Sequence, residues 1–217
     1  MLGCLGAITA CSSPAHEPAV DGPAAPTAAA SMSMTGALPA ARLRTALLQA
    51  ADLPGLPEQR PHVDATVTTE QPPQLGLCAS AGPRLPHQSA NLYAKGTTPG
   101  QATVFESVGV YSTAADADAV YAVQAANPTR CPSYDAGGTR VRVADLAAVP
   151  VPAPARAVHY RLVTPDVVSG DVRTLGVSGR IIVLISGYGR PPAGQTLLGY
   201  QSGLLAKALL QAGTAAG

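Results

Sequence analysis

Tryptophan is absent from the 217 residues, and Phe105 is the single phenylalanine. Aromatics make up 4% of the chain against 47% hydrophobic residues overall, so a core has to be aliphatic, built from Ala, Val and Leu. Lysine occurs only at Lys95 and Lys207. Charged residues are 12% of the chain, about half the usual share of a soluble domain, which excludes a highly charged disordered chain. The 14 Lys+Arg balance 13 Asp+Glu to a net charge of +1, so the basic surplus of a dedicated nucleic-acid binder is missing. Motifs of chemistry are missing too. There is no G-x-S-x-G elbow, no Walker A loop and no H-E-x-x-H, and "GYGRPPAG" carries only the start of a dinucleotide fingerprint and reads as a turn.

What is present begins at the N-terminus. "MLGCLGAITACSS" is short, apolar and rich in small residues. The run from Met1 to Ala10 is shorter than the roughly 20 residues a spanning helix needs, and it reads as the apolar part of a secretory signal. Ile8-Thr9-Ala10-Cys11 resembles a bacterial lipobox, which implies cleavage before Cys11 and a diacylglycerol on its thiol. Met1-Leu2-Gly3 lacks the positive charge such a signal carries, so either the true start lies further upstream, which is the expectation, or the segment is an ordinary apolar N-terminus with two buried cysteines. Residues 11–40 then form a tether of Ala, Pro, Ser, Thr and Gly with no helical or strand period, unable to bury enough apolar surface to offset its ordering entropy. The expected organisation is a signal over 1–10, a lipidated tether over 11–40 and one folded domain over 41–217. The expected location is the extracytoplasmic face of the cell membrane, held by the lipid anchor.

Removing Cys4 with the signal and lipidating Cys11 leaves Cys78 and Cys131. In an oxidising compartment the expectation is a Cys78–Cys131 disulfide. No Cys or His in the domain lies at zinc-type spacing from another Cys, so no metal is expected.

Within the domain, Arg42–Asp52 predicts a helix with Leu43, Ala46, Leu47 and Ala50 on one face, stopped by Pro54, Pro57 and Pro61. His62–Thr69 alternates as a half-buried strand. Residues 71–100 read as loop, with a short strand at Leu92-Tyr93-Ala94. Ala102–Ser112 is a clear strand that places Val104, Glu106, Val108 and Val110 on one face. Thr113–Asn127 predicts a helix capped by Thr113, with Asp116 completing a capping-box-like pattern and Asn127-Pro128 ending it. Strands follow over Thr139–Leu146, Arg156–Thr164 and Asp171–Gly189, the last as one or two, with Ile181–Ile185 apolar enough to be covered on both sides. A Leu-rich terminal helix closes the chain, with Gly213 at its expected cap. The order α-β-β-α-β-β-β-α predicts an α+β fold, a mostly antiparallel central sheet with flanking helices.

Three segments taken together, "LLQAADLPG", "VFESVGVYSTAADADAVYAVQAANPTRC" and "GRIIVLISGYG" before the Leu-rich helix, resemble the PknH-like extracellular sensor domain of actinobacterial envelope proteins. That family includes receptor kinase ectodomains and stand-alone lipoproteins. The resemblance spans roughly residues 43–211 and implies an α+β domain with a cleft for a ligand. The kinase ectodomain of the family has two disulfides, and this chain supplies one.

Site residues are few. The four histidines are scattered, and no spacing singles out a triad. Asp116 and Asp118 read as cap and solvent groups. Arg140, Arg142, His159 and Arg161 would form a basic patch on one sheet face if their strands pair, suited to an anionic ligand or lipid headgroup. Tyr93, Tyr111, Tyr121, Tyr160, Tyr188 and Tyr200 either line a cleft or edge the core. The expected function is a non-catalytic, lipid-anchored sensor domain without cofactor or nucleic acid. Its partners are the membrane and a small-molecule, lipid or glycan ligand. The alternatives are an envelope scaffold with no small ligand and an envelope hydrolase.

Overall fold

A computed structural model describes residues 37–64, 86–98, 100–136, 138–165 and 171–216. The expected signal, Cys11, nearly all of the tether and Cys78 lie outside the described residues. The chain forms α1 (Ala40–Thr45), a 3-10 turn (Ala50–Asp52), β1 (Glu58–Asp64), β2 (Gln88–Lys95), β3 (Thr103–Val110), α2 (Ala114–Arg130), β4 (Ser133–Ala136), β5 (Thr139–Ala148), β6 (Arg156–Val163), β7 (Asp171–Ser178), β8 (Ile181–Tyr188) and α3 (Leu197–Ala216). Among the described residues the strands make one eight-stranded sheet, ordered β1-β2-β3-β8-β7-β6-β5-β4. Every neighbouring pair is antiparallel. This is the expected α+β class.

Period-2 alternation divides the sheet into two faces. On β3, Val104, Glu106, Val108 and Val110 all point into one core, as the sequence predicts, while Phe105 points to the other side. The first face is covered by α1 and α3. Leu43, Leu47 and Leu53 pack there with Val104, Val108, Ile181, Val183 and Ile185 against Leu204, Leu205, Ala208 and Leu209. Each large aliphatic side chain buried this way contributes about 1.5–3 kcal/mol. The second face carries α2, whose Ala117, Val120 and Tyr121 meet Leu175, Val177, Ile182 and Leu184. Val141, Tyr160 and Leu162 form a smaller cluster beside it. Strand β8 feeds both cores from alternate residues, so it is covered on both faces as its apolar run implies.

Several boundaries differ from expectation. α1 ends at Thr45, and the chain past it turns so that the Leu48 N–H reaches the Glu106 carboxylate at 2.8 Å. β1 begins at Glu58, four residues before the expected start. β2 is a full strand where mostly loop was expected. Its Gln, Ser and Asn mask the pattern, but Ala90, Leu92 and Ala94 alternate inward, and pairing on both sides supplies its backbone bonds. β4 was not foreseen. α2 continues through Pro128 to Arg130. The missing Pro N–H removes one bond, and burial of Asn127 and Pro128 offsets it. Gly213 lies inside α3 rather than capping it.

Candidate functional site

α2 packs on β5, β7 and β8, and the same face of the sheet stays open over β1, β2 and β3. There the twisted sheet forms a trough of about 540 Å³ lined wholly by strand residues. Its floor is a cross-strand row set by register. Arg60 opposes Tyr93, Tyr93 opposes Phe105, and Phe105 opposes Ser186. Ser186 opposes Arg173, and Arg173 opposes Tyr160. A second row runs alongside through His62, Asn91, Ser107 and Leu184. Directly opposed residues share a face, so these side chains converge although they are far apart in the chain.

The apolar part of the trough is aromatic and partly wet. Phe105 is 42% exposed and Tyr188 48% exposed. The rings of Tyr93 and Phe105 lie 4.9 Å apart, tilted by 55°. The one phenylalanine of the chain, its only aromatic side chain without a polar atom, is left on the surface, and exposed apolar groups gathered with a few polar ones are the composition of a binding surface.

The polar part has two ends. At the β7 end, the Arg173 Nε bonds the Asp171 carboxylate at 3.0 Å, and Arg173 also bonds Tyr160. Burial pushes the Asp171 carboxyl up, and the Arg173 charge opposes that shift. Burial likewise pushes the Tyr160 hydroxyl up. At the β1 end stands Arg60, an exposed cation. Glu58, the nearest acid on its strand face, stands opposite Lys95 in register. The Ser107 hydroxyl on the floor has no hydrogen-bond partner among the described residues. Such an arrangement can hold a ligand by ring contact and hydrogen bonds. Among the described residues no three His, Cys, Asp or Glu side chains gather as a metal site.

The basic set expected from the sequence does come to one face. β5 and β6 pair, Ala144 opposes Arg161 and Ala147 opposes His159 across an irregularity in register, and Arg142 opposes Val163. Arg140 and Arg142 are exposed, and Arg140 bonds the Ser133 hydroxyl at 2.7 Å. His159 and Arg161 alternate with Tyr160, so the set lies on the side of the sheet away from the trough. Of the tyrosines, Tyr93 and Tyr188 line the trough, and Tyr111, Tyr121, Tyr160 and Tyr200 are buried. Asp116 sits in the capped first turn of α2, and Asp118 pairs with Arg156. The cleft residues Arg60, His62, Asn91, Ser107, Asp171 and Arg173 were not singled out by the sequence. The one signal was Phe105 on the polar side of a strongly alternating strand.

No family model matches the chain, and no curated protein matches it. Solved structures do. The extracellular domain of PknH from Mycobacterium tuberculosis superposes with a TM-score of 0.56 at 16% identity, covering 83% of this chain and 99% of that one. The chain shares the PknH extracellular-domain fold. The Mycobacterium smegmatis ortholog of Rv0999 matches with a TM-score of 0.46 at 13% identity, over 81% of this chain and 97% of that one. The resemblance to the PknH-like domain read from the three sequence segments is thereby borne out at the level of fold.

Proposed function

We propose that the chain is a non-catalytic, sensor-type domain on the extracytoplasmic face of the cell membrane, lipid-anchored through Cys11, and that it binds a ligand in the open trough. The observation that carries the ligand reading is the aromatic floor, with Phe105 and Tyr188 exposed side by side with polar groups on an uncovered sheet face. The PknH extracellular-domain fold supports the sensor-type part. The lipobox-like Ile8–Cys11 segment supports the anchor. The basic set Arg140, Arg142, His159 and Arg161, on the opposite face, is proposed as a separate contact for anionic headgroups. A Cys78–Cys131 bridge is part of the same reading, supported by the even pair of cysteines that an exported domain would keep in an oxidising compartment.

Mass spectrometry of the exported chain, first native and then denaturing, tests the reading. Extra mass only in the native spectrum is the expected result. A bare protein in both spectra favours a scaffold without a small ligand. In the denaturing spectrum the bridge lowers the mass by about 2 Da, and a lipid adds mass at Cys11.

A further inference from the structure

We infer that the trough takes an acidic oligosaccharide, laid across the strands with a carboxylate against Arg60. This rests on the ligand-binding reading above and adds the class of ligand. Four observations carry it. First, the row Arg60, Tyr93, Phe105, Ser186, Arg173 places one side chain per strand. Neighbouring strands are about 4.8 Å apart, on the order of the length one sugar ring adds to a chain. A saccharide running across the strands therefore meets a new side chain with each ring.

Second, the aromatic groups are presented as platforms. Tyr93 and Phe105 are tilted rather than stacked on one another, and Phe105 and Tyr188 are open to solvent. The electron-rich face of an aromatic ring attracts the positively polarised C–H face of a sugar. Third, the accompanying row is polar. Asn91 and Ser107 supply a short amide and a hydroxyl, and the Ser107 hydroxyl has no hydrogen-bond partner among the described residues. These groups suit hydroxyl-rich rings. They do not suit an acyl chain, which gains its roughly 0.8 kcal/mol per methylene only when withdrawn from water, and an open trough leaves it wet. Fourth, the acid at the β7 end is held by its own cation at 3.0 Å, while Glu58 at the β1 end stands opposite Lys95. The remaining cationic end, Arg60, selects a negative group on the ligand.

The test is calorimetric titration of the exported full chain with three probes: trigalacturonate, maltotriose and dodecanoate. Trigalacturonate is expected to bind about tenfold or more tightly than maltotriose, and to weaken with added salt. Phe105→Ala and Arg60→Ala are each expected to weaken it about tenfold, while Arg44→Ala, at an exposed position of α1 on the other face of the sheet, leaves it unchanged. Both cleft residues are exposed, and an unchanged melting temperature confirms that the variants fold. Equal binding of maltotriose overturns the acidic part. Dodecanoate binding that Phe105→Ala abolishes overturns the saccharide and leaves the trough a ligand site. Silence from all three probes overturns the inference, and silence together with a bare native mass overturns the ligand-binding reading as well.

Discussion

Glu106 sits among aliphatic side chains, 1% exposed, with one carboxylate oxygen accepting the Leu48 N–H at 2.8 Å. The other oxygen has no partner among the described residues. Burial pushes its pKa from 4.5 up to about 8, the Leu48 N–H opposes this, and the Asp52 charge adds to it. The folded chain therefore holds a proton that the unfolded chain releases. The stability this gives is full below about pH 4.5 and is lost as pH rises toward about 8, with a slope of up to about 1.4 kcal/mol per pH unit. Asp171, also pushed up by burial, adds a slope of the same sign. Glu106→Gln removes the larger titration, so its melting temperature is expected to vary less between pH 5 and 8 than that of the parent chain. A profile as steep as the parent's would place the proton elsewhere. Gly189 is fixed for a different reason. Its φ is +93°, and a Cβ there would stand 2.4 Å from the Gln101 carbonyl oxygen. Gly189→Ala is expected to destabilise the fold by about 1–3 kcal/mol, read as a lowered denaturant midpoint with unchanged slope.

At the scale of elements, α2 shows how a local signal survives folding. Thr113 accepts the Asp116 N–H at 3.1 Å, the cap its sequence predicts. Thr113→Ala is expected to lose about 1 kcal/mol, and Thr113→Ser to keep most of it, measured by thermal melting. The Asp118–Arg156 pair on the same helix is exposed on both partners and contributes little. The helix end was misread because Pro128 is a local stop signal, and its tolerance depends on what packs against it. The same holds for Gly213. A flexible residue marks a helix end only if the chain turns there, and Ala212 and Ala215 remain buried against the core through that turn. β2 was hidden because polar residues stand on both of its faces, Gln88 among the inward-facing positions and Ser89 and Asn91 on the other side, so the local pattern reads as a loop.

For the whole molecule, the joined parts are an aliphatic core under α1 and α3 and an aromatic trough on the other side. The proposed Cys78–Cys131 bridge would tie the end of α2 to a distant segment. Under it, Cys131→Ser is expected to lose about 4 kcal/mol of stability in the chain-entropy account, and reduction of the parent chain should bring its melting temperature down to that of the variant. A melt insensitive to reductant would remove the bridge from the account. The sequence by itself determined the class of the fold and most of its pieces. Those follow from periods of 2 and 3.6 residues and from caps, all written within a few positions of one another. Only the tertiary structure decided where the trough lies and which side chains share it. Arg60, Tyr93, Phe105, Ser186 and Arg173 come together through strand order and register across five strands, and antiparallel register is a long-range property that no local spacing records. The basic set shows the same limit. Pairing of β5 and β6 was enough to gather it, but only the full sheet revealed that it faces away from the trough.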